Sequence, residues 1–344
     1  IYTGSNNEFA VTRYHADGGL DTDFGTNGTV LTVFAGGGDS EQQILLLPDG
    51  KILVGGSASV SGSLDFGVAR YNADGSLDTS FGGGDGKATA AIGSNTDSAY
   101  DMVLQDDGKI ILAGSSNDGT FYEFAMVRFL DDGLIDTTFG GFNGDAAGTT
   151  TTNIGTNSDN GYSVTLQPDG KILMTGSTSS GGSQDIGLTR YNSDGSLDTS
   201  FGGGDGIVIT SLDAAGTPGG DSGNQVGREV AVQSDGKILV AGYSSHSGTD
   251  MFTVLRYDAN GTLDASFGGD GVVTTDIDSG GDRAYSMTLQ DNDKILLGGY
   301  SSGGATGKDF AVVRYDTNGS LDTTFGGDGK VTVATTGDEE ANSI

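Results

Sequence analysis

The segment RYNADGSLDTSFG, residues 70–82, decides the fold. Within it, an Arg-Tyr pair is followed by an Asp-Gly turn, then by Leu-Asp and by Phe-Gly. The pattern recurs five more times, beginning at Arg13, Arg128, Arg190, Arg256 and Arg314, with Phe129 and Ile135 replacing Tyr and Leu in the copy at Arg128 and Asn-Gly turns in the last two copies. Successive arginines are 57, 58, 62, 66 and 58 residues apart. A nearly fixed period of this kind indicates a repeat protein, in which each copy forms the same supersecondary unit.

A second motif, Asp-Gly-Lys-Ile, recurs in phase with the first. Its lysines are Lys51, Lys109, Lys171 and Lys237, and a degenerate copy contains Lys294. Each period also contains four runs typical of strands, which in one copy are residues 272–275, 285–290, 294–298 and 310–315. Gly, Asp, Asn and Ser separate these runs, as in the turns of antiparallel sheets.

Four antiparallel strands per repeat form one blade of a β-propeller. A solenoid or β-helix usually has a shorter period, and a sandwich has no reason to repeat six times. The sequence therefore predicts an all-β fold, a six-bladed β-propeller of four-stranded antiparallel blades. Residues 1–344 are expected to form a single domain of six repeats of roughly 60 residues.

The two ends of the chain align with different strands of a repeat. Residues 1–5 align with residues 53–57 in a third strand, and residues 341–344 align with residues 99–102 in a second strand. We therefore expect the ring to be closed by N- and C-terminal strands that share one blade, two strands from each end. Such sharing would stabilise strand pairs that are marginal on their own.

Most of the basic residues recur at fixed positions of the repeat. Each repeat arginine stands eight residues before an aspartate that is present in all six copies. Because a planar guanidinium binds carboxylates well, we predict a structural ion pair in each repeat. The pairs are Arg13–Asp21, Arg70–Asp78, Arg128–Asp136, Arg190–Asp198, Arg256–Asp264 and Arg314–Asp322. The alternative, an anion site made by a ring of arginines, is weaker because equal acids accompany them.

The turn after the Arg-Tyr pair partly resembles a calcium loop. It has side-chain oxygens at Asn72, Asp74 and Asp78, but it lacks the glycine at position six and the glutamate at position twelve of an EF-hand. A tight turn is the preferred interpretation. No cofactor is certain, and weak calcium binding is predicted in the glycine-rich loops, at Asp85, Asp205, Asp270 and Asp328.

Composition excludes several classes of function. The chain has 16 Lys and Arg against 47 Asp and Glu, a net charge of -31, which excludes nucleic acid and an anionic membrane surface as direct partners. It has no cysteine, so disulfides, thiolate nucleophiles and Cys-ligated zinc are excluded. No apolar run is long enough for membrane insertion.

Catalysis has little support in the sequence. His15 and His246 are the two histidines, they occupy unrelated phases of the repeat, and both are expected in solvated loops. Repeated aspartates could supply a carboxylate pair for glycoside hydrolysis, but nothing in the pattern gives one of them a different pKa. No catalytic residue is therefore predicted, and the protein is predicted not to be an enzyme.

Binding is expected where the symmetry of the repeat breaks. The two longest repeats carry loops at residues 144–159 and 212–228, on one predicted face, which are interpreted either as a partner-binding rim or as neutral variation. Tyrosines beside Ser/Gly-rich loops are candidates for stacking on sugar rings. The candidate partner-binding residues are Pro218, Asp221, Tyr122, Tyr243 and Tyr300.

The repeated Arg-Tyr-x-x-Asp/Asn-Gly-x-Leu-Asp-x-x-Phe-Gly pattern, followed by Gln-x-Asp-Gly-Lys-Ile-Leu and a glycine pair, resembles the delta-sixty repeat of bacterial surface and secreted proteins. This β-propeller family has no assigned activity. The resemblance covers essentially the whole chain. It implies an extracellular or cell-surface location, often as one module of a longer polypeptide, and it supplies no catalytic residues.

Together these observations predict a non-catalytic extracellular structural or interaction module, part of a bacterial surface adhesin or surface assembly. Its partners would be other surface proteins, flanking domains of the same chain, or glycans. The alternative function is a glycan-binding, lectin-like propeller, and the third is a hydrolase.

Overall fold

The computed structural model describes residues 8–35, 38–142, 144–180, 183–212, 223–304, 307–334, 337–339 and 341–344. Within these ranges the chain is all β, with no helix. The strands are β1 (Phe9–Thr12), β2 (Thr29–Thr32), β3 (Ser40–Leu46), β4 (Ile52–Val60), β5 (Ser63–Tyr71), β6 (Lys87–Ala90), β7 (Asp97–Leu104), β8 (Ile110–Asn117), β9 (Tyr122–Phe129), β10 (Thr149–Thr152), β11 (Asn160–Leu166), β12 (Ile172–Ser180), β13 (Ser183–Tyr191), β14 (Ile207–Thr210), β15 (Gln225–Val232), β16 (Ile238–His246), β17 (Thr249–Tyr257), β18 (Val272–Thr275), β19 (Asp282–Leu289), β20 (Ile295–Gly304), β21 (Gly307–Tyr315) and β22 (Lys330–Val333).

The described strands form five four-stranded sheets and one two-stranded sheet. The four-stranded sheets are β3 to β6, β7 to β10, β11 to β14, β15 to β18 and β19 to β22, and β1 pairs with β2. Consecutive strands of a sheet pair with each other as an antiparallel meander. Each four-stranded sheet has the strand order expected of a propeller blade.

The chain divides into two compact units. The first comprises Ile1–Asn153, Asn160–Tyr162 and Asp194–Ser196, and it holds the sheets β1 to β2, β3 to β6 and β7 to β10. The second comprises Ile154–Asp159, Ser163–Ser193 and Leu197–Ile344, and it holds the sheets β15 to β18 and β19 to β22 with most of β11 to β14.

The core lies between the faces of neighbouring sheets. In the first unit, Leu53 and Phe66 of one sheet pack in the same buried cluster as Met102 and Leu112 of the next. Glycine on the second strand of a sheet permits this approach, because a Cβ at Gly55 would lie 3.0 Å from the sulfur of Met102. The apolar runs that end in glycines are therefore strands covered on both faces.

One expected grouping of strands is wrong. The sequence suggests that residues 272–275 begin a repeat, whereas β18 pairs with β17 and completes the preceding sheet. The loop between β17 and β18 folds back on β17 through two backbone hydrogen bonds of 2.9 Å. The N–H of Asp264 donates to the carbonyl of Arg256, and the N–H of Arg256 donates to the carbonyl of Gly271. In the same way β22 pairs with β21, so it cannot be one of the C-terminal strands of a shared blade.

The ends of the chain are described only in part. Residues 1–5, the predicted N-terminal contribution to the shared blade, lie outside the described residues. Residues 341–344 have no strand assignment, but the backbone N–H of Ile344 donates to the hydroxyl of Ser286 at 3.2 Å. The Cβ of Ile344 also approaches Gly298 as Met102 approaches Gly55. Closure of the ring by shared strands stays a prediction.

Among the residues that the structure describes, no helix has the length and apolar character needed to span a membrane.

Candidate functional site

The repeat arginines form one recurring contact. In all six copies the Nε atom of the arginine lies 2.7 to 2.9 Å from Oδ2 of the aspartate eight residues later. The guanidinium carbon lies 4.4 to 4.7 Å from the ring centre of the phenylalanine in the same copy. Four arginines also donate through Nη1 to a backbone carbonyl of the following repeat, and the acceptors are Ala73 for Arg13, Asp131 for Arg70, Ala259 for Arg190 and Thr317 for Arg256.

The lysines of the second motif reach the same carboxylates. In five repeats the distance from lysine Nζ to aspartate Oδ2 is 2.5 to 3.4 Å. At Asp136, burial opposes ionisation, but hydrogen bonds from Thr138 and the charges of Arg128 and Lys109 lower the pKa to about 2. These acids are consequently held in their charged form by several donors each. Such fully occupied carboxylates hold the fold together and are poor candidates for proton transfer.

The four aspartates predicted to attract calcium each form a local turn. Oδ1 of Asp85, Asp205, Asp270 and Asp328 accepts the backbone N–H of the residue two positions later, at 3.0 Å in every case. This arrangement is the Asx turn expected of aspartate beside glycine. In the described part of the chain no group of three or more His, Cys, Asp or Glu side chains could hold a metal. Weak calcium binding at these loops stays a prediction.

The predicted partner-binding residues have different locations. Pro218 and Asp221 lie outside the described residues. Tyr122 is half-buried at the start of β9. Tyr243 on β16 and Tyr300 on β20 lie in the second unit, and the structure groups each of them with arginines that the sequence did not single out.

This group, the tyrosine–arginine cluster, consists of Arg228, Tyr243, Arg283, Tyr285 and Tyr300. The guanidinium of Arg283 lies 4.5 Å from the ring centre of Tyr243, and that of Arg228 lies 5.2 Å from the ring centre of Tyr285. The rings of Tyr285 and Tyr300 are 5.8 Å apart, centre to centre. Distances of this size are typical of cation–π and aromatic contacts.

Departures from the repeat create the cluster. Tyr243 and Tyr300 follow the glycine of the second strand, at a position that is serine in three other sheets, Ser57, Ser115 and Ser177. Ser57 and Ser115 use their hydroxyl groups to accept a backbone N–H from the next sheet. Exchange of this serine for tyrosine in two neighbouring sheets places the ring of Tyr243 against Arg283 and the ring of Tyr300 against Tyr285.

β-Bulges contribute two further members. The pairing of β15 with β16 shifts register between Gly227 and Glu229, and that of β19 with β20 shifts between Ala284 and Ser286. Arg228 and Tyr285 are thus the extra residues of their strands. Because a bulge re-aims a side chain, it lets these residues meet the tyrosines instead of continuing the regular alternation.

Arg283 is oriented by an acidic partner. Its Nε donates to Oδ2 of Asp250 at 2.6 Å, and Oδ1 of Asp250 accepts the hydroxyl of Ser245. Although partial burial opposes it, the hydrogen bond to Asp250 raises the pKa of Arg283 above its usual range. The side chain is 37% exposed, and Nη1 and Nη2 donate no hydrogen bond to any described residue.

The cluster tyrosines differ from the tyrosines of the repeat motif. Tyr71, Tyr257 and Tyr315 are fully buried, and each hydroxyl is hydrogen-bonded to a threonine at 2.7 Å. By contrast, the hydroxyl groups of Tyr243, Tyr285 and Tyr300 have no hydrogen-bond partner among the described residues, and none of these oxygens is sealed from solvent. Tyr243 and Tyr300 are nevertheless only 7% and 6% exposed, and Tyr285 is half-buried, so the cluster offers available hydroxyl groups at the edges of largely buried rings.

The sequence also failed to reveal a buried acid or amide at the start of the first strand of the sheets. These residues are Asp39, Asp97, Asp159, Gln225 and Asp282, and all are almost completely buried. In four sheets the carboxylate accepts backbone N–H groups of the preceding loop, as Asp282 does from Ile277 at 2.7 Å. Burial raises the pKa of Asp282 to about 6, so the acids of this protein do not all share one pKa.

The two histidines differ in environment. His15 is exposed, with Nε2 3.8 Å from Oδ1 of Asp21. The expectation of a solvated loop is wrong for His246, which ends β16, is 5% exposed and lies with Nε2 2.5 Å from the hydroxyl of Ser244. The hairpin from β16 to β17 buries it because the two strands pair as far as His246 opposite Thr249.

Solved structures of similar fold include several enzymes. An ulvan lyase of polysaccharide lyase family PL25, bound to GlcA(1-4)Rha3S, has 9% identity and a TM-score of 0.43, over 80% of this chain and 67% of its own. A mannose phosphorylase from Leishmania mexicana has 13% identity and a TM-score of 0.39, over 88% and 90%. An exo-1,5-α-L-arabinanase from a bovine ruminal metagenomic library has 10% identity and a TM-score of 0.37, over 82% and 96%.

The prediction that the protein is not an enzyme is contradicted by these comparisons, since the proteins named are enzymes, and it is withdrawn. At such identities and TM-scores no reaction and no residue role is carried over to this chain.

Sequence comparison defines the family. No curated protein matches the chain. A family model described as a β-propeller domain of unknown function, DUF5122, matches residues 47–81, 105–139, 167–201, 233–267 and 290–325, which together make up about half of the chain. Each matched segment runs from the second motif to the Phe-Gly pair of the first, so the model describes the same repeat. The chain therefore belongs to the DUF5122 β-propeller family.

Proposed function

We propose that the protein binds carbohydrate chains through the tyrosine–arginine cluster. The single observation that carries the proposal is the grouping of Tyr243, Tyr285 and Tyr300, with hydroxyl groups that no described residue occupies, around the oriented guanidinium of Arg283. The repeat itself does not require this grouping, because other sheets have serine where Tyr243 and Tyr300 stand.

The chemistry of the cluster suits sugars. A pyranose ring has apolar C–H faces that pack on aromatic rings and a rim of hydroxyl groups that need hydrogen-bond partners. Here the half-buried Tyr285 offers ring surface, whereas Tyr243 and Tyr300, which are largely buried, offer mainly their hydroxyl groups. The partly exposed Arg283 adds donors in a fixed plane. A few polar groups converging beside aromatic side chains are the usual composition of a small-ligand site.

We also propose an extracellular or cell-surface setting, in which the bound chains belong to surface polysaccharides. A net charge of -31 and the absence of cysteine support a protein that works in a saline medium and needs no thiol chemistry.

A glycan array with the full chain tests the proposal. Tyr243→Phe and Tyr300→Phe each remove one hydroxyl and keep the ring, and we expect each to weaken binding roughly 5- to 10-fold, the effect of about 1 kcal/mol for one hydrogen bond. Tyr14→Phe is the matched control, since Tyr14 is 62% exposed and lies in the other unit. Absence of binding by the wild type, or equal losses in all three variants, would refute the proposal.

Oligosaccharides incubated with the protein are also examined for cleavage products. Cleavage by the wild type that Tyr300→Phe abolishes would assign a reaction to the cluster in addition to binding.

A further inference from the structure

We infer that the carbohydrate recognised by the tyrosine–arginine cluster carries a negative charge, a carboxylate or a sulfate, and that Arg283 binds this group. The inference rests on the proposed function and adds the class of ligand. It follows from the way in which Arg283 is held, from the distribution of basic residues, and from a comparison with the structural arginines of the repeat.

Arg283 is positioned as a fork for an oxyanion. Asp250 takes the Nε edge of the guanidinium at 2.6 Å, and the ring of Tyr243 packs against its plane at 4.5 Å. Nη1 and Nη2 are left with no acceptor among the described residues. Two parallel N–H groups in a fixed plane match two oxygens of a carboxylate or sulfate. Because Asp250 and Tyr243 already hold the guanidinium in place, binding an anion would cost little further side-chain entropy.

The structural arginines show what an occupied guanidinium looks like in this fold. Nε of Arg70 donates to Asp78, Nη1 to the carbonyl of Asp131 and Nη2 to the hydroxyl of Ser80 at 3.2 Å. All three nitrogens of Arg70 thus have acceptors within the protein. Arg283 uses one nitrogen in the same way and presents the other two, so a purely structural role accounts for only part of its geometry.

Basic residues are concentrated at the cluster. Five of the 16 basic residues lie outside the two repeated motifs, and they are Lys87, Arg228, Arg283, Lys308 and Lys330. Three of the five belong to or border the cluster, since Nζ of Lys308 lies 4.3 Å from the ring centre of Tyr300. A neutral ligand would not need three cations in one place on a chain with a net charge of -31.

The overall negative charge does not prevent this binding. Charges more than about 8 Å apart are largely screened at physiological ionic strength, so the residues of the cluster decide the local potential. The nearest carboxylate, that of Asp250, is engaged by Arg283 and Ser245. Asp282, the residue before Arg283, is fully buried, and its raised pKa of about 6 reduces its charge in weakly acidic medium.

The test compares ligands that differ only in charge. Calorimetric titration of the full chain with hexagalacturonate and with its fully methyl-esterified form isolates the effect of the carboxylate. A sulfated galactan oligosaccharide and its desulfated form do the same for sulfate, and the preferred pair identifies the anion. We expect the wild type to bind one charged form at least about 10-fold more tightly than its neutral counterpart, as for a charge-assisted bidentate contact.

Variants assign the preference to the fork. Arg283→Gln should abolish the preference for the charged form, and Arg283→Lys, which keeps the charge without the fork, should retain only part of it. Asp250→Asn should reduce it by loosening the orientation of Arg283. Lys87→Gln is the control, because it removes one positive charge in the first unit and should leave the preference unchanged. Melting temperatures of the variants verify that they are folded.

Each outcome bears on a separate statement. Equal affinity for charged and neutral forms would overturn the anionic ligand while carbohydrate binding by the tyrosines stands. A preference for the charged form that survives Arg283→Gln would overturn the assignment of the anion to Arg283. No binding to these four ligands, with only neutral glycans bound on the array, would also overturn the anionic ligand. No binding to any glycan would overturn both.

Discussion

Nε of Arg70 lies 2.7 Å from Oδ2 of Asp78, and the same guanidinium donates through Nη1 to the backbone carbonyl of Asp131 in the next repeat. One side chain thereby binds its own repeat and the one that follows. Lys51 adds a second cation at 3.0 Å from the same oxygen of Asp78. The carboxylate is therefore the centre of a small buried network, and its removal should be costly.

We predict that Asp78→Asn lowers the free energy of unfolding by about 3 kcal/mol at neutral pH, because it leaves Arg70 and Lys51 without their counter-charge. Partial burial opposes ionisation, but hydrogen bonds from Ser80 and Lys51 and the charge of Arg70 lower the pKa of Asp78. A lowered folded-state pKa stabilises the protein above the unfolded value and loses this effect as the pH falls. The difference between variant and wild type should thus narrow below about pH 4.

Urea unfolding at neutral and acid pH measures this difference. Asp85→Asn is the control, because Asp85 is an exposed turn residue, and its effect should be small at both pH values. A loss from Asp78→Asn that is equal at both pH values would contradict the electrostatic account.

Asp282→Asn should have the opposite pH dependence. Burial raises the pKa of Asp282 from 3.8 to about 6, so ionisation destabilises the fold as the pH rises through that range. Asparagine keeps an oxygen to accept the N–H of Ile277 but carries no charge. The variant should gain stability relative to the wild type between about pH 4 and about pH 8, by up to roughly 3 kcal/mol at about 1.4 kcal/mol per pKa unit.

Thermal or urea unfolding across this pH range checks the prediction. A constant difference between Asp282→Asn and the wild type would show that the carboxyl titrates as in the unfolded chain.

Gly55→Ala should destabilise the first unit through contact between neighbouring sheets. The added Cβ would lie 3.0 Å from the sulfur of Met102, and overpacking of this kind costs typically about 1–3 kcal/mol. Shortening the partner in the double variant Gly55→Ala/Met102→Ala should recover part of the loss. A double-mutant cycle measures the coupling. Strictly additive effects would place the strain elsewhere, for example in the backbone of β4.

Calcium binding is predicted to be weak and distributed over the glycine-rich loops. The melting temperature should rise modestly between EDTA and millimolar calcium, and Asp205→Asn and Asp270→Asn should each remove part of the rise. Both side chains already accept a backbone N–H at 3.0 Å, which limits the ligands that they can offer. An unchanged melting temperature on addition of calcium would count against these sites.

The sequence predicts those features whose residues recur at the same position in every repeat. The spacing of eight residues from Arg70 to Asp78 is visible in every copy, and the structure places each arginine on that aspartate. The carbonyl partner at Asp131 could not be predicted, because an alignment of motifs contains no information on backbone acceptors. The pairing of residues 272–275 with the preceding strand, β17, could not be predicted for a related reason. The order of short strands along the chain does not show whether such a strand joins the preceding sheet or the following one.

The tyrosine–arginine cluster shows what a repeat conceals. The sequence marks Tyr243 by the Ser/Gly-rich loop beside it, but its place in the cluster depends on its position in the strand, which corresponds to Ser57 in another sheet, and on Arg283, 40 residues further along the chain. The sequence contained a signal, namely basic residues outside both motifs. The β-bulge that orients Arg228 cannot be recognised from the residue types of the repeat. The contact between Arg228 and Tyr285 could therefore be found only in the structure.

In four repeats the Nη1 acceptor of the arginine is a main-chain oxygen of the next repeat, and the residues that supply it differ: Ala73, Asp131, Ala259 and Thr317. A main-chain oxygen is retained through every substitution, so an arginine finds its acceptor whatever residue the neighbouring unit has at that place. A unit copied in frame by gene duplication would join its new neighbours without compensating changes. Single repeats can therefore diversify in sequence while the arginine-to-carbonyl contacts that join them persist.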